Sequence, residues 1–437
     1  MTIQTSKFSP IEVPKEALEA YNYGKNAESS QKYSAAIAHY TACIEYEAAA
    51  SFQSRVLDRR GNCYWLLGKY DTAAADFRHA LEVTDNPSQK ARAWARLGEV
   101  ADARGRYDEA LEFFNTGLGQ GMNARDVMSI GRAHRGLGIV HRRQGNSEKA
   151  IYHLTQALAA FRQVGEAREQ ARVLTSLGRT RLARGEYQEA ITAHNEALKI
   201  LIPLEDRWRI ALAYNDLGEC HQALFDMFTA LAFHRKALDI VLEDHAEVIV
   251  PDVKRNMGID LVGCGQYEKG VQYLQDALAM AENLGNREQK ALVLYALSQA
   301  YVNHDELVKA ADTVEELSRT ADALGADRYR ALAAYQQGGL LLARGYRSQA
   351  ASQFQAAMLA AQNSMDRGIL WKLHAIISSV VEDEAVSAIH RTIAADFIQQ
   401  TAYPLQDLRL REVFVHAPPV LAVLVAQGID PASLLQS

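Results

Sequence analysis

One spacing governs this chain. A glycine, often preceded by leucine, returns at Gly24, Gly61, Gly98, Gly138, Gly178, Gly218, Gly258 and Gly338, and Ser298 holds the remaining place. The first two intervals are 37 residues and the next six are 40. A fixed period of this size means one structural unit repeated and stacked, because a single small unit cannot bury its own apolar faces. Other positions keep the same frame. Seven residues on stands a turn residue, Gly68, Gly105, Gly145, Gly185, Gly265 or Gly345. Two further on is an aromatic in most repeats, as at Tyr33, Tyr70, Tyr107, Tyr187 and Tyr267. A small residue follows (Ala36, Ala73, Ala110, Ala150, Ala190, Ala230, Gly270, Ala310, Ala350), then a bulky one such as Tyr40, Phe77, Phe114, Leu154 or Phe354.

The unit this describes is a helical hairpin. Small residues let two antiparallel helices approach, large ones fill the space beside the contact, and the turn glycine supplies a left-handed backbone. Proline agrees: of nine prolines, only Pro87, Pro203 and Pro251 fall between residue 15 and residue 403, and proline interrupts helix interiors. The chain is therefore expected to be all-α, a right-handed α-solenoid of about nine to ten hairpins with a short helical C-terminal cap. Its expected divisions are an extended segment over 1–15, nine hairpins over 16–363, a degenerate tenth over 364–401, and a cap over 402–437.

The Leu-Gly, Tyr, Ala and Phe pattern resembles the tetratricopeptide repeat over roughly residues 16–363. The 40-residue unit, longer than the usual 34, is similar to that of Pins-type polarity scaffolds, kinesin light chain and the sensor domains of MalT-like bacterial regulators. The stretches GEAREQARVLTSLG, from Gly165, and GNREQKALVLYALS, from Gly285, carry that likeness. Two repeats depart from the pattern: Phe225 and Met227 replace glycine and tyrosine in the sixth, and Ser298, Asp305 and Leu307 stand in the eighth. These repeats are expected to pack less regularly or to sit beside something else. The tail carries Asp407, Leu410, Arg411, Phe414 and Pro418, a short stretch similar to the segments that close repeat arrays in large bacterial regulators.

Most function classes lose support. No phosphate-binding loop, zinc-protease motif, nucleophile elbow or dinucleotide fingerprint is present. Cys43, Cys63, Cys220 and Cys264 have no metal-like spacing and read as reduced core residues. His134 and His141 are too far apart along one helix to share a metal alone, and His194 and His234 fall on the bulky packing position. No cofactor, metal or catalytic activity is therefore expected. No apolar run suits a membrane span and no leader-like stretch opens the sequence, so a cytoplasmic location is expected.

What remains is the face that repeats of this family turn inward, where the resemblance places ligand contacts. Six residues before the repeat glycine stand Arg55, Arg92, Arg132 and Arg172 in four consecutive repeats. Nearby positions add Arg59, Asn62, Arg96, Arg135, Arg142 and Arg179, and the next repeats offer Asn215 and Asn256. Arginine pairs bidentately with carboxylates, so these residues are expected to grip an acidic peptide or protein segment, with the asparagines bonding its backbone amides. A column of like charges is costly unless an anion, or Glu99 and Asp102, offsets it. The overall charge of −6 argues against a nucleic-acid partner. The expected function is a protein-binding scaffold. The alternative is a sensor module that takes a small effector or signal peptide and controls a separate ATPase or transcription factor; with about 15 residues before the first repeat, no DNA-binding helix-turn-helix is expected there.

Overall fold

A computed structural model describes residues 13–46, 48–243, 249–364 and 367–436. It contains twenty-two α-helices in antiparallel pairs, ending in a short 3-10 turn at Pro431–Leu434. The chain divides into two compact units, one running to Val173 and the other from Leu174 on. Each unit is a run of hairpins. The first contains α1 (Lys15–Ser29), α2 (Tyr33–Ile44), α3 (Ala50–Leu66), α4 (Tyr70–Val83), α5 (Pro87–Ala103), α6 (Tyr107–Ala124), α7 (Val127–Arg143), α8 (Ser147–Val164) and the opening turns of α9 (Ala167–Ala183).

The second unit continues through α10 (Tyr187–Leu201), α11 (Arg207–Ala223), α12 (Met227–Glu243), α13 (Val250–Gly263), α14 (Tyr267–Asn283), α15 (Arg287–Asn303) and α16 (Leu307–Leu324). Then come α17 (Asp327–Ala343), α18 (Arg347–Ser364), α19 (Arg367–Val380), α20 (Glu384–Ala402), α21 (Leu408–His416) and α22 (Pro418–Ala426). Helix starts follow from the sequence. Asn86, Asp126, Asp206, Asn286, Asp383 and Asp407 each cap the following helix with a side-chain oxygen on a free backbone N–H. Pro87 and Pro251 lie in first turns and Pro203 just after α10, where a missing N–H costs little.

The repeat glycine meets the bulky residue of its own hairpin. A Cβ built on Gly24, Gly61, Gly98 or Gly338 would fall 2.5 to 2.8 Å from the ring of Tyr40, Phe77, Phe114 or Phe354. At Gly138 and Gly258 the partner is Leu154 or Leu274; at Gly178 and Gly218 it is His194 or His234. Where Ser298 stands instead, the partner position carries the smaller Val314, and the serine hydroxyl donates to the Tyr295 carbonyl at 2.9 Å. The two histidines are fully buried. His234 Nδ1 lies 2.5 Å from Asp260 Oδ2, whereas neither ring nitrogen of His194 has a hydrogen-bond partner among the described residues. Burial, then Arg179, pushes the His194 imidazole down to about 3, so it sits neutral.

All nine turns within the first nine hairpins use a left-handed residue. Six are the glycines read from the sequence; the other three are Gln31, Phe225 and Asp305, with φ of 57°, 64° and 59°. A second left-handed series closes the hairpins at Arg125, Gly165, Glu205, Gly285 and Gly325, again 40 residues apart or a multiple of it. This second register is invisible to a search for glycine, because Arg125 and Glu205 occupy two of its places. In both units the first helices of successive hairpins touch one another: α3 with α5, α5 with α7, α11 with α13, α13 with α15 and α15 with α17. That places the first helices on the inner side of each unit's curve.

Repeat 6 departs from the pattern because its turn meets another part of the chain. Phe225 packs against Phe414 of α21 and Trp371 of α19 at ring separations of 6.5 and 6.3 Å. Tyr187 and Leu224 share one buried cluster with Leu410, Phe414, Val420 and Leu424. The cap is therefore seated on hairpins far back in sequence.

Candidate functional site

The first unit's inner face carries a ladder of alternating charge. Asp58 of α3 faces Arg96 at 3.4 Å and Arg92 at 3.9 Å, both on α5. Arg96 Nη1 donates to Glu99 at 2.9 Å, and the other oxygen of Glu99 accepts from Arg135 of α7 at 2.9 Å. Arg135 Nε lies 3.5 Å from Glu169, whose second oxygen accepts from Arg172 at 2.9 Å. Burial alone would raise the Glu99 carboxyl, but Arg96, Arg135 and Arg172 together overrule it and hold it at about 2. Glu169 is likewise held low by Arg135, Arg172 and Arg132 against its own burial.

Arg132 is the exception on this face. It is half-buried on α7, yet no hydrogen bond or ion pair engages it among the described residues. Its guanidinium loses proton affinity through burial first, then through Arg96 and Arg92. Arg92 adds a buried Nε without a hydrogen-bond partner among the described residues. Arg92, Arg96, Arg132, Arg135 and Arg172 thus set five guanidinium groups against the three carboxylates Asp58, Glu99 and Glu169.

The other arginines named from the sequence are placed differently. Arg55 is exposed on α3 and Asn62 is half-buried there. Arg59 donates to Tyr21 at 3.0 Å and to Glu28 at 2.8 Å, and so ties the first two hairpins together. Arg142 lies in the last turn of α7, and Asp102 pairs with the adjacent Arg143 at 3.4 Å. Of the two acids expected to offset the column, Glu99 does so directly. Asp58 and Glu169, which do the rest, were not anticipated. Asp58 was legible, since it lies three residues before its glycine, the same place as Arg135.

In the second unit, Arg179, Asn215 and Asn256 belong to a separate network. Arg179 Nε donates to Asp216 at 2.8 Å. The Asn256 amide donates to Asn215 at 3.1 Å and to Glu219 at 3.0 Å, and both asparagines are buried. Their amides serve each other and Glu219, in contrast to the expected bonding to a ligand's backbone. Arg255 bridges Asp252 at 2.6 Å and Glu219 at 3.3 Å. The Glu219 carboxyl is pushed up by burial and then by Asp252.

Among the described residues no group of three or more His, Cys, Asp or Glu side chains is placed to hold a metal ion, and no helix is long and apolar enough to cross a membrane. Stacked hairpins closed by left-handed turns, with glycine opposite an aromatic, find their counterpart in known proteins. A family model described as tetratricopeptide repeat matches residues 52–119 and 129–202. Those two stretches carry tetratricopeptide repeats. Similar proteins include regulatory protein AfsR of Streptomyces griseus, 33% identical over 132 residues, which are 30% of this chain and 14% of that protein. Kinesin light chain-related protein 3 of Arabidopsis thaliana is 24% identical over 61% of this chain and 44% of its own length. The chain thus spans less than half of either relative. Among solved structures, a Rap protein complexed with competence and sporulation factor covers 88% of this chain and 99% of its own, at a TM-score of 0.56 and 14% identity. That likeness concerns the fold.

Proposed function

We infer that this tetratricopeptide-repeat chain is a non-enzymatic scaffold whose first unit holds an acidic segment of a peptide or protein partner against the inner face of α3, α5, α7 and the start of α9. The observation that carries this is Arg132. Its neighbours Arg96, Arg135 and Arg172 are each bonded to an internal carboxylate, while Arg132 makes no hydrogen bond or ion pair among the described residues: Arg96 and Arg92 act on it more strongly than Glu169 and Asp58, which reach it only through space. A partner's carboxylate would complete the ladder there. Because the flanking side chains are already fixed by ion pairs, little ordering entropy would be lost on binding. Interaction surveys with short fluorescent peptides that differ only in their number of acidic residues test this. Affinity should rise with acid count and fall with salt; indifference to both would overturn it.

A second reading, a sensor module within a regulatory system, draws on the likeness to a regulatory protein of Streptomyces. It uses the same face and differs in what the bound segment controls. Co-purification of an effector ATPase or transcription factor with the chain separates the two readings.

A further inference from the structure

We propose that the C-terminal segment is a clasp, separable from the repeats it grips, which fixes the curvature of the hairpins between α10 and α20. Its polar contacts join residues 180 to 218 apart in sequence. Arg409 donates to Asp226 at 2.6 Å and to Thr229 at 3.3 Å. The backbone N–H of Gln406 donates to Gln188 at the first turn of α10, 2.9 Å away. Phe225 fills the apolar centre, between Phe414 and Trp371.

The backbone of Phe225 marks this as a built feature. Six sister repeats place glycine at this turn, with φ between 71° and 83°, and Phe225 adopts the same left-handed conformation at 64°. A bulky residue pays a steric cost there that glycine avoids, and nothing in the hairpin itself requires the ring. The ring serves the clasp. Asp226, next in sequence, is buried and held strongly ionised: burial opposes the charge, and His221, Arg409 and Thr229 overcome it. It also bonds the backbone N–H of Thr229, so one carboxylate both starts α12 and receives the tail.

The device matters because α9 and α11, whose Leu182 and Ala223 pack against the cluster that the tail enters, carry Arg179, Asn215 and Glu219 on their inner faces. With the clasp shut, the first helices of these hairpins keep one spacing; with it released, they are free to spread. Two sites that bias the same element are energetically coupled in both directions, so whatever occupies that face and whatever holds the tail must affect each other.

Hydrogen exchange of the full chain, read by mass spectrometry, tests this with three variants. Phe225→Gly restores the repeat's own turn residue, relieves the backbone and removes the ring, so it should fold while loosening the clasp. Arg409→Glu opposes Asp226 with a like charge, and Arg409→Lys keeps the ion pair. The expected result is exchange about tenfold faster across residues 403–416 in the first two variants, with Arg409→Lys near the wild type. Wild-type exchange of 403–416 in both Phe225→Gly and Arg409→Glu would overturn the proposal. So would faster exchange spread evenly over the whole second unit, since that would make the tail one cooperative core with the repeats.

Discussion

Phe114 is held from two sides, and replacing Gly136 with alanine should show what that arrangement is worth. A Cβ on Gly136 of α7 would stand 2.2, 2.4 and 2.5 Å from three atoms of the Phe114 ring, where carbon atoms at rest prefer about 3.5 to 4.0 Å. The ring cannot retreat, because a Cβ on Gly98, across the hairpin, would already lie 2.8 Å from the same atoms. The helix gains about 1 kcal/mol from alanine over glycine, while overpacking a filled core costs roughly 1 to 3 kcal/mol. Three overlaps of more than an ångström against a ring that is 2% exposed put the cost at the top of that range. The net effect should be a loss of about 2 kcal/mol. Gly119 is the control: it is exposed on α6 with nothing within 4 Å of its Cβ, so Gly119→Ala should stabilise by up to about 1 kcal/mol. Urea unfolding, followed by circular dichroism and by Trp65 and Trp94 fluorescence, reads both signs. A Gly136→Ala protein as stable as the wild type would refute the claim that Phe114 locks adjacent repeats.

Other outcomes follow from the buried histidines and the charge ladder. His194→Leu should be neutral or stabilising, because its ring makes no hydrogen bond and leucine fills the same place in repeats 4 and 7. His234→Leu should cost about 1 to 3 kcal/mol in thermal or urea unfolding, since it takes one of two side-chain partners from the fully buried Asp260 and leaves only the Gln222 amide. The His194 imidazole, held at about 3 against an ordinary 6.5, binds its proton more readily unfolded. Stability from it is complete above pH 6.5 and falls below, by about 2 kcal/mol at pH 5, and His194→Leu should flatten that part of a stability–pH curve. Glu99, held at about 2 against 4.5, adds a second loss as pH drops from 4.5 towards 2, absent in Glu99→Gln.

The hairpins were readable because their requirements are local. Glycine opposite a bulky residue and a left-handed turn are fixed by contacts within one repeat, so Gly98, Gly105 and Phe114 stand at constant offsets. The clasp was not readable, since Phe225 and Met227 register in sequence only as departures from the pattern, and their partners lie in the tail. The arginine column was half readable. Its spacing identified the face, but which arginine lacks an acid depends on side chains from neighbouring repeats: Asp58 serves α5, and Glu169 serves α7. For the same reason Asn215 and Asn256 looked available in sequence and are spent on each other in the fold.

The central claim is that Arg132 is kept for a partner's carboxylate. Arg132→Gln removes a guanidinium that burial and like charge disfavour, so the variant should unfold at the same or higher urea concentration than the wild type. In the same preparation, affinity for the most acidic of the fluorescent peptides should drop at least tenfold, the scale set by one charge-assisted bidentate contact. Undiminished peptide affinity in a folded Arg132→Gln protein would contradict the account.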